Sequence, residues 1–327
     1  MNTDTKPAHR RNGRHPAADR RGVDMLAGLF GALLGLYGAS AGAEEPKTQA
    51  APVVTLLAAG DIAECGSPGA MLTAKLIEKQ EGTVLAAGDL AYPKGSLANF
   101  TKCYEPAWGR FKARTLPAPG NHEYETRGAA GYFAYFGAQA GESGKGYYSV
   151  NLEGWHVIAL NSSIDTGADS EQATWLRKDL TEDKAPCILA FWHHPRYSSG
   201  PHGDNKHMAP IWEVLAQHHA SIVISGHDHS YERFAPLDAA GHVDEQHGIR
   251  SFVVGTGGAR LYNFSVRPAS SEAWNGSTWG ILKLNLSPGS YTWEFIPVEG
   301  SHFQDSGAGR CAAEEPPVRP NTVGPSG

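Results

Sequence analysis

The chain has 327 residues, of which 28 are basic and 34 acidic, with four cysteines and 15 histidines. A chain of this length can bury a self-sufficient core, and its 39 glycines and 21 prolines, with only 19% charged residues, indicate a loop-rich globular protein. The acidic balance argues against a nucleic-acid-binding surface, which needs a basic face, and four cysteines are too few for a disulfide scaffold. The histidines stand out, because histidine is the commonest metal ligand.

Residues 1–43 have the composition of an export signal. A basic region containing Arg20 and Arg21 precedes an uncharged run, Met25–Ala43, that ends in a small-residue cleavage pattern. The arginine pair resembles a twin-arginine signal, although Asp24 stands where an apolar residue is expected. An uncleaved anchor is the alternative, since the run approaches the ~20 residues that span a bilayer. We therefore expect a secreted or periplasmic protein, without membrane contact after cleavage, or else a membrane-anchored one.

The rest of the chain is predicted to be one domain with short extensions. Residues 44–51 are interpreted as a linker, and no linker-like stretch or internal repeat divides residues 52–300. Residues 301–327 are rich in proline, glycine and glutamate near their end, and we expect them to be mostly disordered. Without the leader the net charge is −9 instead of −6.

Five apolar runs follow one another, and each ends abruptly at polar residues. Continuous apolar runs of this kind predict strands that are covered on both faces. The runs and the residues that end them are Val53–Ala59 with Gly60-Asp61, Val84–Ala87 with Gly88-Asp89, Leu116–Pro119 with Gly120-Asn121, Ile188–Trp192 with His193-His194, and Ile222–Ser225 with Gly226-His227.

Helical patterns lie between these runs, which predicts an α/β fold. The apolar periodicity favours helices over Met71–Glu81, Glu171–Glu182 and Pro210–His219. Near the end of the chain, apolar and polar residues alternate over Gly280–Leu286 and Tyr291–Pro297, which predicts an antiparallel hairpin. Ligands of α/β sheets bind beyond the carboxyl ends of the strands. The polar residues that end the five runs should therefore meet at one edge.

The polar blocks contain carboxylate, phenol, amide and imidazole groups. A mixed oxygen and nitrogen set suits iron, zinc or manganese better than a thiolate-seeking metal. His227 and His229 are two residues apart after a strand, so they can face two ions. Cys65 and Cys103 each lie just beyond one of the blocks and are the preferred disulfide pair in an exported chain, whereas Cys187 is expected to be a free thiol in the core.

The five blocks, in this order, resemble those of the calcineurin-like metallophosphoesterases. Tyr92 in Gly-Asp-x-x-Tyr resembles the purple acid phosphatase branch, in which it replaces the histidine that the wider superfamily has at the position of Ala63. The first block follows the leader closely, which resembles the single-domain members. The resemblance implies an α/β sandwich of two mixed β-sheets flanked by helices.

The same resemblance implies two metal ions and their ligands. The first ion, expected to be Fe(III), would be held by Asp61, Asp89, Tyr92 and His229, and the second, a divalent Zn, Fe or Mn, by Asp89, Asn121, His193 and His227. Asp89 would bridge the two. Such a pair supports in-line attack on phosphorus by a hydroxide that the metals hold.

Two further histidines match catalytic positions of the family. His122 is expected to contact the phosphoryl oxygens and His202 to give a proton to the leaving group. His194 is expected to support the ligands without binding metal, and Glu232 and Arg233 to form an ion pair that orients the histidine loop.

The resulting hypothesis is an acid phosphatase that hydrolyses phosphate monoesters of small molecules. A phosphodiesterase or nucleotide-cleaving enzyme of the same fold is the alternative among enzymes. A metal-binding surface protein without turnover is the alternative from another class. Residue types alone do not define the substrate or the oligomeric state.

Overall fold

The computed structural model describes residues 53–264 and 266–311. The predicted export signal over residues 1–43, the predicted linker over 44–51 and the end of the predicted tail therefore lie outside the described residues. Within the described ranges, no helix is both long and apolar enough to cross a membrane.

The described residues form thirteen strands and six α-helices, joined by short 3₁₀ and π turns. The strands are β1 (Val54–Ala59), β2 (Thr83–Ala87), β3 (Thr115–Ala118), β4 (Tyr148–Leu152), β5 (Trp155–Ala159), β6 (Cys187–Phe191), β7 (Ile222–Ser225), β8 (Tyr231–Phe234), β9 (Arg250–Val254), β10 (Ser271–Asn275), β11 (Gly280–Ser287), β12 (Ser290–Pro297) and β13 (Ser306–Arg310). The helices are α1 (Gly69–Glu78), α2 (Leu97–Asn99), α3 (Asn121–Tyr124), α4 (Ala130–Phe136), α5 (Glu171–Glu182) and α6 (Ala209–Gln217).

The strands make two mixed sheets, which confirms the predicted fold class. One sheet has the order β13-β12-β11-β1-β2-β3 and the other β10-β8-β9-β7-β6-β5-β4. Strands β1, β2 and β3 are parallel, as are β5, β6, β7 and β9, and the remaining pairs are antiparallel. The carboxyl ends of the parallel strands therefore lie at one edge of each sheet.

The main core lies between the two sheets. Successive residues of β5 alternate between this core, which contains Val157 and Ala159, and a second core under the helices, which contains Ile158 and, just after the strand, Leu160. This alternation follows from the two-residue period of a strand. Because both faces are covered, the strand reads as a continuous apolar run.

The three predicted helices exist, with shifts of one to three residues at some ends. Helix α5 has the predicted limits, and the Ser170 side chain caps it by accepting a hydrogen bond from the Ala173 backbone N–H. Helix α1 ends at Glu78, before Gly82, which has a φ of 121° that a helix cannot include. The predicted hairpin forms as β11 and β12, with Leu286 opposite Tyr291.

Two expectations about the end of the chain are wrong. Cys187 is bonded to Cys311 in a disulfide and is not a free thiol. Residues 306–310, expected to be disordered, form β13 on the edge of the first sheet. Its glycines are required by packing, since a Cβ at Gly307 would lie 2.3 Å from the Trp293 ring. The small residues that suggested disorder are therefore the ones that this strand needs in order to pack against the aromatic rings.

Candidate metal centre

The polar residues that end the five predicted strands meet at one edge. Asp61 and Asp89 follow β1 and β2, Asn121 begins α3 after β3, and His193 and His227 follow β6 and β7. Both sheets thus contribute side chains to a single cluster, as expected for the carboxyl ends of parallel strands.

The backbone at this edge is unusual in three places. Asp61, Asp89 and His227 have positive φ angles of 57°, 52° and 72°. Non-glycine residues adopt this left-handed region at a cost of about 1–3 kcal/mol each, and such residues concentrate at functional sites. Gly88 lies against His193, to whose Cβ an added Cβ would approach within 2.4 Å. The chain therefore turns sharply in order to aim these side chains inward.

The first predicted ligand set is assembled around Tyr92. Its hydroxyl oxygen lies 2.9 Å from Oδ1 of Asp61, 3.3 Å from Oδ2 of Asp89 and 3.1 Å from Nε2 of His229. Nε2 of His229 is in turn 3.2 Å from Oδ1 of Asp61. Four donor groups thus face one another, and Nδ1 of His229 is fixed by the Arg260 carbonyl at 2.7 Å.

The second predicted set is assembled around His193. Its Nε2 lies 3.1 Å from Oδ2 of Asp89, 3.1 Å from Oδ1 of Asn121 and 3.2 Å from Nδ1 of His227. Its Nδ1 faces the Ala87 carbonyl at 3.1 Å, which leaves Nε2 for the cluster. Oδ2 of Asp89 is close to both Tyr92 and His193, so this carboxylate lies between the two sets.

Burial and charge act strongly on these groups. Burial opposes ionisation of Asp61, yet the nearby His229, His193 and His227 hold its pKa below the usual value. Burial also disfavours the charged form of His193, but the Asp89 carboxylate raises its pKa to about 9. Burial and the two carboxylates raise the pKa of Tyr92 well above its usual value. Within this buried cluster, the negative charge of the carboxylates is therefore offset by the neighbouring imidazoles.

This donor set fits a metal ion. Ligand atoms of Asp61, Asp89 and His193 lie within 4.8 Å of one another, and all three side chains are buried. Buried carboxylates cost free energy unless a cation or hydrogen bonds compensate them. A bound cation would also favour the ionised phenol of Tyr92.

The predicted catalytic histidines lie at the open side of the cluster. The His122 ring is 4.4 Å from that of Tyr92, with Nε2 3.8 Å from Oδ2 of Asp89 and Nδ1 2.6 Å from the Pro93 carbonyl. The His202 side chain is 47% exposed and its ring lies 4.2 Å from that of His227. Both rings can therefore reach a molecule that enters from solvent.

His194 contacts the cluster from the second sheet. Its Nδ1 shares a hydrogen bond with the Ser162 hydroxyl at 2.8 Å, and its ring lies 4.3 Å from that of His227. Burial and the neighbouring His193 lower its pKa to about 3, so the ring is neutral. Its ligand atoms lie within 4.8 Å of those of His193 and His227, which places it beside the second set.

The expected ion pair between Glu232 and Arg233 is wrong. Adjacent residues of a strand point to opposite faces, and these two, on β8, have separate partners. Glu232 accepts hydrogen bonds from the backbone N–H and hydroxyl of Ser199 at 2.8 and 2.6 Å. Arg233 pairs with Asp305 at 2.8 Å and with Glu272. Glu232 therefore fixes the loop that leads to His202, and Arg233 fixes the far side of the sheet.

The sequence of this chain matches the model of one protein family over residues 48–231, which is more than half of its length. The chain belongs to the calcineurin-like phosphoesterase family. A curated relative is purple acid phosphatase 15 of Arabidopsis thaliana, with 31% identity over 195 residues. That match covers 48% of this phosphoesterase and 37% of the relative, so it spans well under half of the plant protein.

Two solved structures share the fold. The purple acid phosphatase PPD1 of yellow lupin, Lupinus luteus, superposes with a TM-score of 0.67 at 20% identity, covering 79% of this chain and 54% of the lupin chain. GAP50, described as the anchor in the inner membrane complex of Plasmodium, superposes with a TM-score of 0.61 at 15% identity, covering 80% of this chain and 90% of that one.

Three residues at this site have no role in the sequence-based prediction. Glu123 is fully buried and accepts backbone hydrogen bonds from Leu90, Ala91 and Gly120 at 2.9, 3.2 and 2.8 Å. It therefore ties the Asp89 loop to the start of α3. Its bond to the Gly120 N–H is one half of a capping box, but the sequence lacks the full signal because glycine has no side chain to supply the other half. Asp228 and Tyr262, the other two, contact His202.

Proposed function

We propose that this protein is an exported metallophosphatase with two metal ions, which hydrolyses phosphate monoesters of small molecules. The observation that carries the proposal is the position of Asp89 between the Tyr92 set and the His193 set, since one shared carboxylate is what a binuclear centre requires. The two disulfides of the described residues support a location outside the cytoplasm.

The proposed ligands are those expected from the sequence. Asp61, Asp89, Tyr92 and His229 would hold Fe(III), since a phenolate and carboxylates are hard ligands, and Asp89, Asn121, His193 and His227 would hold divalent Zn, Fe or Mn. The chemistry that a metal pair supplies is polarisation of the phosphoryl oxygens and activation of water for in-line displacement.

The chain's own residues would perform the remaining steps. His122 binds the phosphoryl oxygens through Nε2, because its Nδ1 is engaged with the Pro93 carbonyl. His202 gives a proton to the ester oxygen of the leaving group, which is a role for a partly exposed imidazole at the mouth of the site. His194 stays neutral and packs against His227, so it keeps that ligand in place.

Metal analysis combined with a visible spectrum tests the iron assignment. The purified protein should be coloured, because a phenolate on Fe(III) absorbs visible light, and Tyr92→Phe should abolish the band. Tyr262→Phe is the matched control: this tyrosine stacks on His229 at 4.7 Å but belongs to neither ligand set, so its variant should keep the colour. A colourless wild type with both metals bound would contradict the assignment.

A substrate panel tests the reaction. We expect faster turnover of phosphate monoesters than of diesters, and a His122→Ala variant about a hundredfold slower or more. Equal or better diester rates would make the protein a phosphodiesterase. No phosphate release from any ester by metal-loaded protein would favour a binding or anchoring protein of this fold.

A further inference from the structure

His202 is held at only one of its two ring nitrogens. Its Nδ1 lies 2.9 Å from Oδ1 of Asp228 and 3.1 Å from the Tyr262 hydroxyl, and its backbone N–H donates to the same Asp228 oxygen at 3.1 Å. Among the described residues, none forms a hydrogen bond with Nε2. The ring is therefore oriented from its protein side, and Nε2 is the nitrogen left for a substrate.

Asp228 is placed for this contact and not for the metal. The side chain is fully buried, and the Ser198 hydroxyl donates to its other oxygen, Oδ2. Its contact with His202 is on the Nδ1 side of the ring, where a carboxylate oxygen can accept a hydrogen bond from Nδ1–H. Asp228 stands between two predicted ligands, His227 and His229, yet its side chain turns to the opposite side.

Tyr262 is fixed by the same histidine segment. Its backbone N–H donates to the His229 carbonyl at 3.2 Å, and its hydroxyl donates to the His227 carbonyl at 3.0 Å. Its ring stacks on the His229 ring at 4.7 Å with a 22° angle between planes. The hydroxyl oxygen is then free to accept the Nδ1 hydrogen of His202, so the tyrosine links both ligand histidines to the histidine at the mouth.

We infer that Asp228 and Tyr262 are positioning residues for His202, which hold its Nδ1 hydrogen so that Nε2 faces the ester oxygen of a bound phosphomonoester. The inference rests on the proposed function. As the oxygen of an attacking hydroxide bonds to phosphorus, the P–O bond to the alcohol breaks with its electron pair on the ester oxygen, and that oxygen takes the proton from Nε2 of His202. The neutral ring that remains keeps its hydrogen on Nδ1, between Asp228 and Tyr262.

Leaving-group dependence tests this inference, because an alkoxide needs the proton far more than a nitrophenolate does. We compare kcat/KM for glycerol phosphate and 4-nitrophenyl phosphate in His202→Ala, Asp228→Asn and Tyr262→Phe, each with its metal content measured. His202→Ala should lower turnover of the alkyl ester about a hundredfold, with a much smaller loss for the aryl ester. Asp228→Asn and Tyr262→Phe should show the same selectivity, with a loss of about tenfold for the alkyl ester.

A double-mutant cycle separates positioning from general damage. In the His202→Ala background, Asp228→Asn should cause almost no further loss, because there is no ring left to orient. A full additional loss, or equal losses for both esters in the two positioning variants, would overturn the inference. If Asp228→Asn fails to retain metal, Tyr262→Phe decides alone. If His202→Ala itself affects both esters equally, it is the proposed role of His202 that fails.

Discussion

The two ends of the parallel strands each gather histidine and aspartate, but they are built differently. At the carboxyl end, Asp61, Asp89 and His193 bring their ligand atoms within 4.8 Å of one another. At the other end, His156 of β5 is buried between helix α5 and the sheet, with Nε2 2.7 Å from Oδ2 of Asp179 and Nδ1 2.7 Å from Oδ1 of Asn151. The residue types are similar, but only at the carboxyl end do the ligand atoms of three such side chains lie close together.

The difference shows what makes a cluster a metal site. The two ring nitrogens of His156 face different carboxylates, Asp179 and Asp183, so the ligand atoms of that cluster do not converge on one point. At the carboxyl end, carboxylate, phenol and imidazole groups from separate strands face one another. Cavity size gives no guidance here: about 580 Å³ opens beside His156 and only about 330 Å³ beside Tyr92 and His229.

Removal of the shared carboxylate should have the largest effect. Asp89→Asn takes a charge from between the two ligand sets, so hydrolysis of monoesters should fall by more than the ~100-fold that loss of a supporting residue causes. Metal content by mass spectrometry should fall with it. Retention of both metals and of most activity would show that Asp89 does not join the two sets.

Loosening of the loops behind the ligands should have the next largest effect. Glu123→Gln keeps the shape of the side chain but removes the charge that accepts three backbone hydrogen bonds. Burial and the charge of Asp89 raise the pKa of this carboxyl to about 7, so its surroundings already favour the neutral form of the side chain. We expect a 10–100-fold loss of metal affinity or activity, measured by titration of the metal-free protein. Unchanged metal affinity would mean that these loops keep their conformation without the hydrogen bonds to Glu123.

The disulfide at the amino end should matter for stability and not for chemistry. Cys187 and Cys311 are 124 residues apart, and the loss of loop entropy for a bond that closes so long a loop corresponds to about 5 kcal/mol, at the upper end of the range for disulfides. The paired Cys187→Ser and Cys311→Ser variant should lower the midpoint of denaturant unfolding while kcat at low temperature stays near wild type. A large fall in kcat of the folded variant would show that the two ends are coupled.

The smallest effect on catalysis is expected at the His156 cluster. Asp179→Asn makes the same chemical change as Asp89→Asn and is its matched control. It weakens a buried hydrogen bond, which should lower the free energy of unfolding by about 1–3 kcal/mol, as chemical denaturation would measure. Activity and metal content should stay unchanged. If they fell as they do in Asp89→Asn, the contrast between the two ends would be lost.

Local patterns in the sequence predicted much of the site at the carboxyl ends of the parallel strands. Apolar runs that stop at Gly-Asp or Gly-His are short-range patterns, and the parallel pairing of β1 with β2 places Asp61 beside Asp89 without further information. The partners of Arg233 and Cys187 were not predictable in this way. Asp305 and Cys311 lie 72 and 124 residues further along the chain, and no periodicity connects them.

The sequence by itself determined the α/β architecture, the family and the order of the polar blocks, because these depend on strand periodicity and on residues next to each strand end. Tertiary structure decided which histidines of the described residues converge on shared ligand atoms, as His193 and His227 do, and which face separate partners, as His156 does. It also placed Asp228 and Tyr262 against His202, because the turn after β7 and the loops after β6 and β9 lie side by side only when these three strands pair in the second sheet. Composition records the groups that are present, and packing determines which of them face one another.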